Sequence, residues 1–264
     1  MIVFYGKLPI LLLAELVEHP SDATNARIAS YILTHMDELR DLSIKGLAAD
    51  CYVSAASVSR FCRDIGLTDF ADLRRLINDT DLKFEIASNA PSPAAQKKEY
   101  IGAVIDAIAL ARDSLDMRMI ELLARDIEKF DKVSVFGPLK AATAALNLQT
   151  NLLMLGKLVN TSLRYSKQID YLEKADENDL VIIFSYSGIY FGYKYSQNRI
   201  HPNIKRPKIW FITGNPLVRG NDYLDCVITF KSKQDQASHP YQLQIAADLI
   251  AQSYAHLKNS AQAK

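Results

Sequence analysis

Two stretches of the chain have residue types and spacings that point to chemistry: Val53-Ser-Ala-Ala-Ser-Val-Ser-Arg-Phe-Cys-Arg63 and Ser185-Tyr-Ser-Gly188. On a helix, at about 100° per residue, Val58, Phe61, Cys62 and Ile65 share one arc. Ala56, Ser59, Arg60 and Arg63 fall on the other side, flanked by Ser57. A small, polar and basic face suits a DNA major groove. Arginine grips a guanine edge or a phosphate there, and serine a base or a phosphate. Ser54, at the start of the helix, leaves backbone N–H groups free to face phosphates. The competing reading is an all-helical interaction domain with solvated arginines. Residues 1–80 hold eight Lys/Arg against eleven Asp/Glu, a net of −3, whereas DNA-binding modules are usually basic.

The second stretch follows the strongest apolar run, Leu180-Val-Ile-Ile-Phe184. Small hydroxyl side chains and a glycine at a strand-to-helix turn can present N–H and O–H donors to a phosphate. The same residues also make a plain helix N-cap with no ligand. Tyr186, Tyr190, Tyr193 and Tyr195 can line a pocket and stack on a sugar, or simply pack a core or an interface. Catalysis is not expected. His19, His35, His201, His239 and His256 are scattered, with no H-E-x-x-H or G-x-S-x-G arrangement. Asp176, Glu177 and Asp179 read as a solvated turn. Cys51, Cys62 and Cys226 have neither disulfide-framework nor zinc spacing, so buried or half-buried thiols in a reducing cytosol are expected. No metal or cofactor is implied.

The elements that hold these stretches are legible in the periodicity. Residues 1–79 read as helices: Leu8–Glu18, one capped by Thr24 or Asn25, one capped by Ser43, one capped by Ser54 and stopped by Gly66, and a fifth carrying Phe70, Leu73, Leu76 and Ile77. The turn between the Ser43 and Ser54 helices is about three residues, Cys51–Val53, the length of a helix-turn-helix. Residues 80–100, with Pro91-Ser92-Pro93, read as a linker, in which Asp81–Ala87 can be helical. Residues 101–264 alternate. Helices over Ile101–Asp113 and Met117–Phe130 precede a strand at Val133–Phe136. Helices at Ala141–Leu155, near Lys167–Lys174, near Gly192–Asn198 and at Tyr241–Ala255 separate and close strands at Leu158–Thr161, Leu180–Phe184, Lys208–Thr213 and Cys226–Phe230. Five short apolar strands with helical crossovers predict a five-stranded parallel sheet covered on both faces. The fold class is therefore an all-α domain followed by an α/β domain.

The 264 residues carry 49% apolar and 23% charged side chains and a net charge of +1. That excludes a disordered chain and a strong global field toward nucleic acid or membrane. The longest apolar run, Leu8–Ala14, is too short to span a bilayer, and no signal-peptide pattern precedes it, so a cytoplasmic protein is expected.

Arg27-Ile-Ala-Ser-Tyr-Ile-Leu33, Leu42-Ser-Ile-Lys-Gly-Leu-Ala48 and Val53–Leu67 resemble the N-terminal domain of RpiR-type transcriptional regulators. The family's reading helix has a pattern like V-S-x-x-T/S-V-x-R-F. Val53, Ser54, Ser57, Val58, Arg60 and Phe61 match it, and Phe70, Asp72 and Leu73 fit the helix that follows. The resemblance implies a double-stranded DNA operator as partner, with Ser54, Ala56, Ser57, Ser59, Arg60 and Arg63 as the reading surface. It also implies a C-terminal sugar isomerase (SIS) domain that dimerises and binds a sugar phosphate as effector, with Ser185, Ser187 and Gly188 as its S-x-S-G loop. The chain departs from the family after the first strand. Gly137-Pro138-Leu139-Lys140 stands where a G-x-G-x-S loop is usual, and Ile189-Tyr190 where an acidic residue and a threonine are usual. Lys140 then supplies a charge in place of lost backbone donors. The implied function is a regulator of sugar or aminosugar metabolism. An SIS-type aminosugar phosphate isomerase and a ligand-free dimerisation module are the alternatives.

Overall fold

The structure is a computed structural model that describes residues 7–18, 23–39, 41–80, 90–138, 140–191, 205–220, 223–233, 235 and 239–262. In the N-terminal unit, α1 (Lys7–Glu18), α2 (Thr24–Thr34), α3 (Ile44–Asp50), α4 (Ala55–Asp64) and α5 (Phe70–Asn78) close around Leu8, Leu12, Ile28, Ile32, Val58, Phe61 and Leu73, all fully buried. Burial of each large apolar side chain contributes about 1.5–3 kcal/mol.

The helix ends are set by local chemistry. Ser43 and Ser54 accept the Gly46 and Ser57 amides, each at 3.1 Å, and Asp69 accepts the Asp72 amide. Gly66, at φ +87°, ends α4 in the left-handed region. The Leu67 N–H then donates back to the Cys62 carbonyl at 2.8 Å, satisfying an otherwise orphaned acceptor. Ser54→Ala should cost about 1 kcal/mol of stability through the lost cap. Thermal unfolding reads this, and an unchanged melting temperature would contradict it.

The start of α2 differs from the expected Thr24 or Asn25 cap. Ala23 is its N-cap, with no side-chain bond. The Asn25 side-chain Nδ2 instead donates to the Glu15 and Asp64 carboxylates, which directs this side chain to α1 and the end of α4. The expected helices at Asp81–Ala87 and Gly192–Asn198 lie outside the described residues.

The next helix, α6 (Pro93–Arg112), begins inside the segment expected as linker. Pro93 sits in its first turn, where a missing N–H costs nothing, and Ser92 caps it through the Ala95 amide at 3.2 Å. Ser92 itself is extended, as a residue before proline must be. Then come α7 (Met117–Lys129), β1 (Lys132–Phe136), α8 (Lys140–Met154), α9 (Tyr165–Lys174), β2 (Asp179–Phe184), β3 (Lys208–Thr213), β4 (Cys226–Thr229) and α10 (His239–Gln262).

The sheet is parallel, in the order β1-β2-β3-β4, with Phe136 beside Ile183 and Ile183 beside Phe211. Every residue of β2 is buried, as a strand covered on both faces requires. One face packs Leu180, Ile182, Trp210 and Ile212 against α7, α8 and α10. The other packs Val181, Ile183 and Phe211 with Tyr165 and Ile169 of α9.

The expected five strands are four in this sheet. Leu158–Thr161 makes only an isolated parallel bridge, Asn160 with Ser134 of β1. Its amide donates to Val133 and its carbonyl accepts from Val135. Val159 is buried there while Leu158 is exposed, so the segment offers one inward apolar anchor, too few to extend a ladder. The bridge still fixes the winding. From β1 the chain runs through α8 to the outer edge at Asn160, then returns through α9 to β2 on the other side. The winding reverses between β1 and β2, which opens a crevice at their carboxyl ends.

Candidate nucleic-acid interface and effector crevice

The turn Cys51–Val53 joins α3 to α4. Tyr52 stands in it at φ 53°, and at 89% exposure it projects into solvent beside the start of α4. A left-handed, non-glycine residue costs of order 1–3 kcal/mol. Nothing in the sequence marks Tyr52 for this conformation, because a left-handed turn residue usually announces itself as glycine. Its phenol adds a donor next to the α4 N-terminus.

Along α4, Val58, Phe61 and Cys62 are fully buried. Ser54, Ala56, Arg60 and Arg63 are exposed, and Ser57 and Ser59 are half-buried. The six expected reading residues therefore share the outward side. They are also connected. Ser54 Oγ and Ser57 Oγ lie 2.9 Å apart, and Arg60 Nη2 donates to Ser57 Oγ at 3.3 Å. This i, i+3, i+6 ladder folds the Arg60 guanidinium back toward the α4 N-terminus. Arg75 is tied to Asp72 at 2.9 Å, while Arg74 is exposed. Burial pushes the Cys51 and Cys62 thiols up to about 11 and about 12, so both are core groups, not nucleophiles.

At the crevice, the Gly137 turn after β1 and the Ser185–Gly188 turn after β2 sit at the carboxyl ends of adjacent strands. Ser185 is buried, Ser187 and Gly188 are half-buried, and Lys140 is exposed at the first turn of α8. The Gly188 amide is spent on the Ser185 carbonyl at 3.0 Å, and Asn215 Nδ2 holds the Ser187 carbonyl at 2.8 Å. Gly188 lies at φ +79°, and a Cβ there would stand 2.5 Å from Val218 Cγ2. A Cβ on Gly137 would meet the Ala141 carbonyl at 2.7 Å, so that glycine serves close packing of α8. Gly188→Ala should destabilise by about 1–3 kcal/mol. Denaturant midpoints check it, and a wild-type midpoint would show that the turn is not strained.

The tyrosines divide. Tyr190 is buried; its hydroxyl donates to Gln168 Oε1 at 2.8 Å and its carbonyl accepts from the Tyr165 hydroxyl at 2.6 Å. Gln168 in turn donates to the Gly137 and Ser162 carbonyls. Tyr190 is thus a packing residue of the crevice floor. Tyr186 is half-buried and bonds Ser232 and Gln242. Tyr193 and Tyr195 lie outside the described residues. Beside Gly188 a cavity of about 460 Å³ is lined by Ile189, Phe191, Phe211, Leu217, Val218 and Arg219. Arg219 was missed in the sequence because nothing local ties it to the S-x-S-G turn. Asp179, expected in a solvated turn, is buried. It accepts the Tyr171 hydroxyl at 2.6 Å and the Asp176 amide at 3.0 Å, one donor to each carboxylate oxygen.

Among the described residues, no helix is long and apolar enough to cross a membrane. Residues 11–83 match the profile of the helix-turn-helix domain, rpiR family. An uncharacterised HTH-type transcriptional regulator of Providencia stuartii is 26% identical over 171 residues, 62% of this chain and 61% of the relative. The HTH-type transcriptional regulator HexR of Pseudomonas aeruginosa is 25% identical over 173 residues, 61% of this chain and 59% of the relative. The chain thus spans less than two thirds of the length of either. Among solved structures, the Vibrio vulnificus NanR protein complexed with ManNAc-6P shares the fold over 97% of this chain and 94% of that one. Its TM-score is 0.50 at 14% identity.

Proposed function

From an N-terminal helix-turn-helix domain of the rpiR family, we propose that the chain is a sequence-specific DNA-binding transcriptional regulator. The observation that carries this is the Ser54–Ser57–Arg60 ladder on the outward face of α4. Ser54, Ala56, Ser57, Ser59, Arg60 and Arg63 form the reading surface, and Tyr52 adds a phosphate contact. With a net charge of −3 over residues 1–80, affinity comes from base contacts and from two reading heads, not from bulk attraction. A labelled operator duplex should therefore resist displacement by excess random duplex. Equal displacement by random and operator DNA would remove the specific reading.

The second half of the proposal concerns the α/β domain. It dimerises and takes a monosaccharide phosphate at the Ser185–Gly188 turn. Ser187 supplies a hydroxyl, Lys140 lies on the β1 side, and Arg219, whose Nη1 donates to the Pro216 and Val218 carbonyls, lines the cavity beside Gly188. The Vibrio vulnificus protein of similar fold was solved with a sugar phosphate. Affinity should be on the order of micromolar to millimolar, because Pro138 and the inward bond of Gly188 leave few backbone donors. In calorimetry over hexose and aminosugar phosphates, wild type should bind one member. Ser187→Ala should lose that heat with its melting temperature unchanged. No heat from any member at millimolar concentration would leave the second reading, a ligand-free dimerisation module, which the Tyr190–Gln168 packing of the crevice floor favours. We read the chain as non-catalytic.

A further inference from the structure

A hydrogen-bonded path runs from the crevice to the far end of α4. Gln168 of α9 touches the Gly137 carbonyl and the Tyr190 hydroxyl. One turn earlier, the N-cap residue of α9 is Arg164, whose carbonyl accepts the Gln168 amide at 3.0 Å. The Arg164 guanidinium meets Glu15 of α1 at 2.7 Å, with side-chain exposures of only 12% and 2%. The other Glu15 oxygen accepts from Asn25 Nδ2 at 3.2 Å. The same amide nitrogen gives its second hydrogen to Asp64, the last residue of α4, at 3.1 Å.

The arrangement is electrostatically conditional. Two carboxylates, from α1 and from α4, share one neutral amide. Like charges so placed repel, and at the Glu15 end, where the side chain is 2% exposed, solvent screens the repulsion little, while Asp64 stays exposed. The Arg164 cation offsets it. A buried charge pair also fixes geometry, because separating the partners strands a charge. Any shift of the α9 N-terminus therefore changes how firmly Asn25 can hold both acids, and with them the end of α4.

We propose that Arg164, Glu15, Asn25 and Asp64 form the link through which the state of the α9 end of the crevice sets the anchoring of the reading helix. Occupancy that moves Gln168 moves Arg164, and the end of α4 loosens or tightens in response. This rests on α4 being the reading helix. The test therefore uses neither DNA nor effector, so that it succeeds or fails separately from that reading.

Hydrogen exchange on the full chain reads the link at the Ile65, Gly66 and Leu67 amides, which donate to the Phe61, Arg63 and Cys62 carbonyls at the end of α4. Arg164→Gln should speed exchange there by about tenfold or more, with β2 amides unchanged. Arg164→Lys, which keeps the charge, should stay near wild type. Asn25→Ala leaves the ion pair intact and so carries the test even if Arg164→Gln fails to fold. It should loosen the same amides, and adding Arg164→Gln to it should loosen them no further. Changes under about twofold at Ile65–Leu67 in folded Asn25→Ala would overturn the proposal, as would a uniform rise across α1 to α5.

Discussion

The full chain with Ile101→Glu and Ile105→Glu should be a folded monomer whose operator affinity has fallen by about 10²–10⁴-fold, the loss expected when two linked heads become one. Of the length of α6 from Pro93 to Arg112, only Ala107 and Ala111 are buried, while Ile101, Ile105 and Ile108 form an exposed i, i+4, i+7 stripe with Tyr100 beside it. A helix that keeps such a stripe in water gains by burying it against a second copy. Two carboxylates on the stripe would have to be desolvated in such a contact, a cost that a dimer formed through α6 could not sustain. Sedimentation equilibrium gives the assembly and a gel-shift titration the affinity. A variant that stays dimeric, or a monomer that binds as tightly as wild type, would show that α6 does not pair the reading heads.

Arg60→Ala should weaken operator binding by about 1–3 kcal/mol, roughly five- to 150-fold, and relax the base preference at one position of each half-site. Arg60 is exposed and bonded to Ser57, so its loss removes an outward-facing cation and exposes no core. Ser57→Ala should cost less, since it removes the brace and leaves the guanidinium. The fold should not suffer, because Val58, Phe61 and Cys62 on the inner arc are untouched. Unchanged affinity of folded Arg60→Ala would take Arg60 off the reading surface.

What was legible in the sequence was what is decided within a few residues. The inner and outer arcs of α4, the Ser43 and Ser54 caps and the Gly66 stop follow from 3.6-residue periodicity and orphan backbone groups, and all appear. Four strands are also where the apolar runs put them. The misses depend on distant partners. Leu158–Thr161 has strand composition, but whether it extends a ladder is decided by its neighbour on β1. Asp179 looks like any acid before a strand, and only Tyr171 folding over it makes burial tolerable. Glu15 ends an apolar run and gives no sign that Arg164, far along the chain, will meet it. The start of α6 was hidden by Pro93, which reads as a breaker unless Ser92 is seen as its cap. At the crevice, Ser185–Gly188 was visible as a motif. That the Gly188 amide turns inward, and that Arg219 shares its cavity, are properties of the folded turn.

The central claim is that this chain reads a DNA sequence as a pair of α4 helices. The most direct measurement is retention of fragmented genomic DNA, from the organism that encodes the chain, on the full-length protein, followed by sequencing of what is retained. The expected result is a small set of fragments sharing an inverted repeat. Its half-sites should lie about one helical turn, roughly 34 Å, or a multiple of that apart, and Arg60→Ala should deplete that set. Fragments retained in proportion to their length alone, or by Arg60→Ala as well as by wild type, would contradict it.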